Sequence, residues 1–518
     1  MKLFIKKPIA QLMAASKETE KTLKRTLGVG SLIALGIGAI IGAGIFVRTA
    51  AAAGEHAGPA VTLSFLIAAA GCALAGLCYA EFASMIPIAG SAYTYSYATM
   101  GEFIAWIIGW DLVLEYALGA ATVAIGWAQY FNEFLNTFFH THLPFVLSHS
   151  PWETNIGKTG MYINEAHGHG IVNLPAIFII LMLTLLLIRG MAESAIVNNV
   201  IVIVKVAIVL MIISLGWQYI NPAFHTPYMI PANAGSIKVS TGVVNYADTF
   251  NHGWLGVLRG ASVVFFAFIG FDAVSTAAQE AKNPQKDMPK GILISLVVCT
   301  ALYILFSHVL TGLVSYKDFL IQGKEASVTY AIQHAMPGYN WLANLVTIAI
   351  LAGFSSVILV MLMGQTRVFY TMSTDGLIPP VFSKLHPKYR TPYKSQWLFF
   401  GFVSIFAGFI PDRIVGDMVS IGTLFAFVLV CLGIFILRRT DPGIKRPFQT
   451  PWYMIVCPLG AAICLCMIAS EGWENWARLI VWLLIGFVVY FGYSVKKSHV
   501  RRGTNDIPSD PPSPQFMD

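Results

Sequence analysis

Apolar residues run along this chain in about twelve long blocks separated by polar links. The blocks lie near 29–53, 59–84, 103–136, 171–189, 194–217, 254–280, 290–314, 340–373, 396–411, 414–437, 452–470 and 476–495. Each is close to the roughly 20 residues a helix needs to cross a bilayer. The pattern predicts an all-α polytopic membrane protein. Two blocks carry an interruption in the middle. The first reads GAIIGAGIF at 38–46, with Gly38, Gly42 and Gly44 in mid-span. The sixth reads ASVVFFAFIGFDAVSTAAQE at 261–280, with Gly270 in mid-span.

A mid-helix glycine costs about 1 kcal/mol relative to alanine, and it lets the backbone leave helical geometry. A break near Ile41 to Gly44 would expose peptide N–H groups, which with the dipole of the following half-helix suit a carboxylate. A break near Phe266 to Gly270 would free carbonyls, which suit an ammonium. The alternative for either glycine is close helix packing at a small residue. Two interrupted helices at corresponding positions of two halves point to an inverted repeat. The repeats would be 29–217 and 254–438, five helices each. Residues 1–28 would form a cytoplasmic segment, 452–495 two further spans, and 496–518 a disordered tail. Paired N–H and carbonyl ends match a zwitterion, an α-amino acid.

Charge fixes the orientation. Of 33 Lys and Arg, 23 fall in links and tails expected inside, six in those expected outside and four within spans. The excess predicts both termini in the cytoplasm; the expected location is the plasma (inner) membrane. The net charge of +7 is thereby a topology signal, and no nucleic acid partner is needed. Only 11% of residues are charged, against about 25% in soluble domains, so no second soluble domain is expected. Residues 1–27 hold no apolar core of a cleavable signal. Their LFIKKPIAQLMA stretch reads as a short interfacial helix or a solvated tail. The final GTNDIPSDPPSPQFMD is proline-rich and expected to be disordered.

The seven cysteines lie inside apolar blocks and read as small buried hydrophobes, with Cys464 and Cys466 on different helix faces. Two long links, 137–170 and 218–253, are expected outside. They carry His140, His142, His149, His167 and His169. The HGHG at 167–170 permits a metal reading, but an exposed polar loop is the preferred one. No metal or cofactor is expected. The stretch 317–339 is expected to form a short helix over the outer mouth.

Several charges sit within spans. Lys205 lies near mid-membrane in the fifth block, and an intramembrane lysine is a functional candidate by default. It is assigned to proton coupling, with a purely structural pairing as the alternative. Glu115 lies mid-way along the third block, one turn after Asp111. Ionised carboxylates at this spacing repel, so one is expected to be protonated or paired. Glu115 is assigned to the substrate side-chain pocket, or else to helix–helix hydrogen bonding. Asp272, Glu280 and Arg367 are candidates for an inner gate, or interface anchors. Arg48, near an outer end, is expected to snorkel.

These residues together resemble the amino acid–polyamine–organocation superfamily, and its cationic amino acid transporter branch in particular. The resemblance covers about residues 22–495 and rests on five elements in order: GAIIGAGIF, YAEFASMIPIAGSAYTY (79–95), WDLVLEY (110–116), FFAFIGFDAVSTAAQEAKNPQKDMPKGI (265–292) and RVFYTMSTDGLIP (367–379). It implies a leucine-transporter-type fold, a 5+5 inverted repeat with helices 1 and 6 broken. By the family's pattern, backbone groups of Gly42, Ala43 and Gly44 would hold the substrate carboxylate. Carbonyls of Ile40, Phe266, Ala267 and Ile269 would hold its amine. Lys205 matches the fifth-helix lysine of proton-coupled relatives, which argues against sodium. Ser355 and Ser356 would border the side-chain pocket with Glu115. Mammalian members of the branch are expected to have fourteen spans, so their behaviour need not transfer to a chain of about twelve.

The reading is a secondary active transporter of small neutral or cationic L-amino acids, working by proton symport and alternating access. The rivals are an exchanger or uniporter without proton coupling, and a membrane-embedded amino acid sensor. No nucleophile–base pair, HExxH or phosphate loop appears in the spans, so no enzyme is expected.

Overall fold

All twelve apolar blocks carry helix. The computed structural model describes residues 4–7, 27–85, 91–155, 162, 165, 168–190, 195–272, 274, 281–321, 326–389 and 391–502, with backbone alone for 91 and 195–199. Helix α1 is Val29–Ile40, and α2 covers 44–57. Gly58, with φ of 62°, and Pro59 then turn the chain into α3, Val61–Met85. A short helix α4, Ser91–Thr99, leads to the long α5, Glu102–Phe139. Helix α6 is Leu174–Ile188, its first turn capped by the Asn173 side chain on the Ala176 N–H. There follow α7, Ala195–Gly216, and α8, Gly253–Phe268. Beyond them lie α9, Pro284–Leu313, and a small α10, Ser327–Ala335. The remaining helices are α11, Asn340–Thr374, α12, Tyr393–Phe409, α13, Asp412–Thr440, α14, Tyr453–Ser470, and α15, Trp473–Val489. Among the described residues the only sheet is a hairpin in the 218–253 link, β1 (Ser236–Val239) antiparallel to β2 (Gly242–Asn245).

The helices pack in two groups. Helix α9 lies against α3 and α1, and α8 against α3, so the first two and the sixth and seventh spans form one bundle. Helix α11 lies against α5 and α6, and α12 against α6 and α5, so spans three, four, eight and nine form a second. Each group takes two neighbouring spans from each half of the chain. Helix α7 runs between α1, α9 and α11. Helix α13 joins α5, α3 and α14. One apolar core runs through all of them.

The two ends of the bundle differ. One end carries the first and last described segments, 4–7 and 495–502. There Lys7 Nζ lies 2.7 Å from Asp375 Oδ1, and the Ile5 carbonyl accepts the Glu102 N–H at 3.0 Å. The stretch 496–502, expected to belong to a disordered tail, carries two short helices. From it Arg501 reaches the fully buried Glu102. The other end carries the long links. His142 meets Glu165 at 2.9 Å, and His149 stacks on Phe145. His167 lies outside the described residues, and among those described no group of His, Cys, Asp or Glu is arranged to hold a metal. The helix expected in 317–339 is α10, preceded by a turn at Asp318–Ile321. Ser327 of α10 donates to the Phe46 carbonyl, so α10 covers α2. Six cysteines are buried and Cys466 is exposed, two residues from buried Cys464.

Candidate functional site

Both predicted breaks are present, and they touch. Helix α1 ends at Ile40. Ile41 is extended (ψ 98°), and helical hydrogen bonding resumes at Gly44. In α8 the last turn tightens to a 3₁₀ turn at Phe266–Phe268. Ile269 then turns extended (ψ 139°), and Gly270 takes a φ of 105° that favours glycine. A Cβ on Gly44 would lie 2.1 Å from Ala267 Cα, and one on Gly270 would lie 2.9 Å from the Ala39 carbonyl oxygen. The close-packing reading of these glycines and the broken-helix reading are therefore both right. The helices break, and they cross backbone to backbone at the break because no side chain intervenes.

Each break frees carbonyls at the end of its first half. Those of Ile40 and Ala267 both face Tyr303 of α9, whose hydroxyl lies 2.8 Å and 2.9 Å from them. The Phe266 carbonyl accepts the Ile269 N–H at 3.3 Å. Gly42 faces Val357 of α11, the residue after Ser356. Ser356 is buried, while Ser355 is half-buried and donates to the Leu351 carbonyl of its own helix at 2.9 Å.

Lys205 is buried and reaches this centre from α7. Its Nζ donates to the Gly38 carbonyl in α1 at 3.0 Å, and its stem lies where a Cβ on Gly353 of α11 would come within 2.7 Å of Cε. One side chain thus ties three helices together beside the first break.

On the side toward the termini lies an acidic group. Glu115 sits in a π-helical turn of α5, Leu114–Leu118, a device common at functional sites. Its carboxyl and that of Asp111 are fully buried. Asp272, Asp111 and Thr423 are the neighbours of Glu115. Asp272 accepts from the Tyr116 hydroxyl at 2.5 Å. Of the expected gate, Asp272 is thus buried against Tyr116, Arg367 is exposed on α11, and Glu280 lies outside the described residues.

On the side toward the long links, Arg48 departs from expectation. It is 2% exposed and does not snorkel. It lies 2.9 Å from Asp417 of α13 and 3.3 Å from Asp412. Asp417 also takes Arg259 of α8 at 2.6 Å, and Arg259 pairs with Glu471. The halves of both broken helices on this side are so tied to α13. Burial here is possible because each arginine meets carboxylates that sequence spacing does not reveal.

The model of the amino acid permease family matches residues 27–495. The chain belongs to that family. It lies in the amino acid–polyamine–organocation superfamily, and it is a multi-pass membrane transporter. This permease is 43% identical over 500 residues to the branched-chain amino acid permease of Bacillus subtilis (strain 168), covering 96% of this chain and 99% of that one. It is 40% identical to the methylthioribose transporter of the same organism, covering 96% and 98%. It is 34% identical to the vacuolar cationic amino acid transporter 4 of Arabidopsis thaliana, covering 81% of the permease and 64% of the relative. Sequence reasoning missed Tyr303, Tyr116 and the Arg259–Asp417–Glu471 group. Tyrosines are common in apolar spans, and the ionic partners lie in different helices.

Proposed function

We propose that this permease is a proton-coupled symporter of neutral L-amino acids in the plasma membrane, with both termini in the cytoplasm. The observation that carries the reading is the crossing of the two breaks at Gly44 and Ala267 beside the buried Lys205. The substrate carboxylate takes the N–H groups of Gly42, Ala43 and Gly44 at the start of α2. Its ammonium takes carbonyls of Ile40, Phe266, Ala267 and Ile269. Val357 and Ser356 border the side chain, with Ser355 at the pocket's edge. Lys205 exchanges the proton and, on doing so, changes its hold on the Gly38 carbonyl. The bundle of spans one, two, six and seven then moves against the other group. Asp272, Glu280 and Arg367 act near the inner mouth. The branched-chain relative supports a neutral substrate. The distribution of Lys and Arg, 23 against six, supports the orientation.

A second reading has one observation behind it. Asp111, Glu115 and Asp272 cluster below the breaks among phenols and hydroxyls. A cationic side chain that reached Glu115 would find carboxylates there. The test is uptake of labelled leucine, alanine and arginine into proteoliposomes, with and without an inward proton gradient. Gradient-driven uptake of leucine or alanine is the expected result. Gradient-driven arginine uptake alone would move the assignment to cationic substrates. Flux indifferent to the gradient would leave a uniporter or exchanger, and binding without flux would leave a sensor.

A further inference from the structure

A phenol has one proton to give. Tyr303 Oη nevertheless lies within hydrogen-bond distance of two carbonyl oxygens, one from each broken helix. Without the breaks, these carbonyls would bond the N–H groups of residues 44 and 271, one turn on. Both sites are buried: Ile40, Ala267 and Tyr303 are all at or below 2% exposure. A buried carbonyl left without a donor is costly. Tyr303 is held in place by ring contacts with Phe65 at 5.4 Å and Phe268 at 5.3 Å. It therefore stands where the bound amino acid's ammonium would donate.

We infer that Tyr303 is a stand-in for the substrate ammonium, and that it allows the empty carrier to change conformation. The inference rests on the proposed placing of the substrate amine at these carbonyls. A carrier that cycles passes twice through an occluded form, once loaded and once empty. In the loaded passage the ammonium satisfies the Ile40 and Ala267 carbonyls. In the empty passage the same carbonyls are sealed from water with no substrate present. The Tyr303 hydroxyl donates its one proton to one of the two carbonyls and lies within reach of the other. Removing it penalises only the empty passage. The residue thus decides between net transport and obligatory exchange, a property of the cycle rather than of substrate affinity alone.

The test compares two fluxes in the same proteoliposomes. One is net uptake of labelled alanine into empty vesicles. The other is exchange of labelled alanine into vesicles loaded with unlabelled alanine. Tyr303→Phe keeps the ring and its contacts and removes only the hydroxyl. The expected result is a fall in net uptake of about tenfold, the effect of one buried carbonyl without a donor, with exchange held within about threefold of wild type. A second variant, Tyr303→Gln, restores an N–H donor and is expected to recover part of the net flux. The inference is overturned if Tyr303→Phe lowers both fluxes equally, or lowers neither, in protein that elutes as a single species with an unchanged melting temperature. Loss of both fluxes in a misfolded Tyr303→Phe makes Tyr303→Gln decisive, since net uptake no better than exchange in that variant also overturns it. Wild-type protein with neither flux would instead overturn the proposed function itself.

Discussion

Lys205 Nζ on α7 lies 3.0 Å from the Gly38 carbonyl on α1, and its stem packs on Gly353 of α11. The lysine touches the first broken helix two residues before its last helical residue. It also touches a face of α11 where Gly353 leaves room. A change in the charge of this group would alter the strength of its bond to Gly38, since charge-assisted hydrogen bonds are roughly twice as strong as neutral ones.

Lys205→Ala is therefore expected to abolish the response to an inward proton gradient. Uptake driven by the gradient should fall at least about tenfold, the equivalent of ~1.4 kcal/mol, while gradient-independent exchange persists. Gly353→Ala displaces the lysine without removing it and should give a weaker form of the same defect. Labelled uptake with and without the gradient checks both, and an unchanged gradient response in Lys205→Ala would make the lysine structural.

Gly44→Ala should be far more damaging than its chemistry suggests. Its Cβ would sit 2.1 Å from Ala267 Cα, which is backbone and cannot swing aside. The two breaks would have to part, and uptake should drop to background. Gly401→Ala in α12 is the control, because nothing lies within 4 Å of that position. It should leave uptake intact and stabilise the helix by about 1 kcal/mol or less.

Asp417→Ala is expected to cost about 3–5 kcal/mol, because it leaves two buried arginines short of a partner. Asp441→Ala removes the pair with Lys6, in which both side chains are 44% exposed, and the hydrogen bond from the neighbouring Thr440 hydroxyl. That change should cost no more than about 1 kcal/mol. Melting temperatures of the two purified variants provide the comparison.

At the opposite end, Arg501→Ala should destabilise the protein by about 1–3 kcal/mol. Glu102 is fully buried and, once Arg501 is gone, keeps among the described residues the hydroxyls of Tyr97, Tyr490 and Ser498. Deleting 503–518 is the contrast, and wild-type melting is expected for it.

Much of this was legible in the chain. Twelve apolar blocks fixed the helices, because a helix in lipid must satisfy its own backbone and needs a continuous apolar surface. Glycines at 42, 44 and 270 marked both breaks, because no other residue gives the backbone that freedom at so little steric cost. Lys205 stood out because an isolated lysine in an apolar block has no cheap explanation. Hidden from the sequence was what each of these groups meets.

Contacts between distant helices are set by packing, and only the tertiary structure decided them. It brought Gly44 against Ala267, more than 200 residues away in the chain. It buried Arg48, which spacing alone placed at a wet interface, by supplying Asp417 from α13. It laid the Tyr303 hydroxyl between the Ile40 and Ala267 carbonyls. The sequence by itself determined where the backbone would break, since that is a local property of glycine in an apolar helix. The fold decided which groups answer the broken backbone, since a freed carbonyl takes whichever donor three-dimensional packing brings to it.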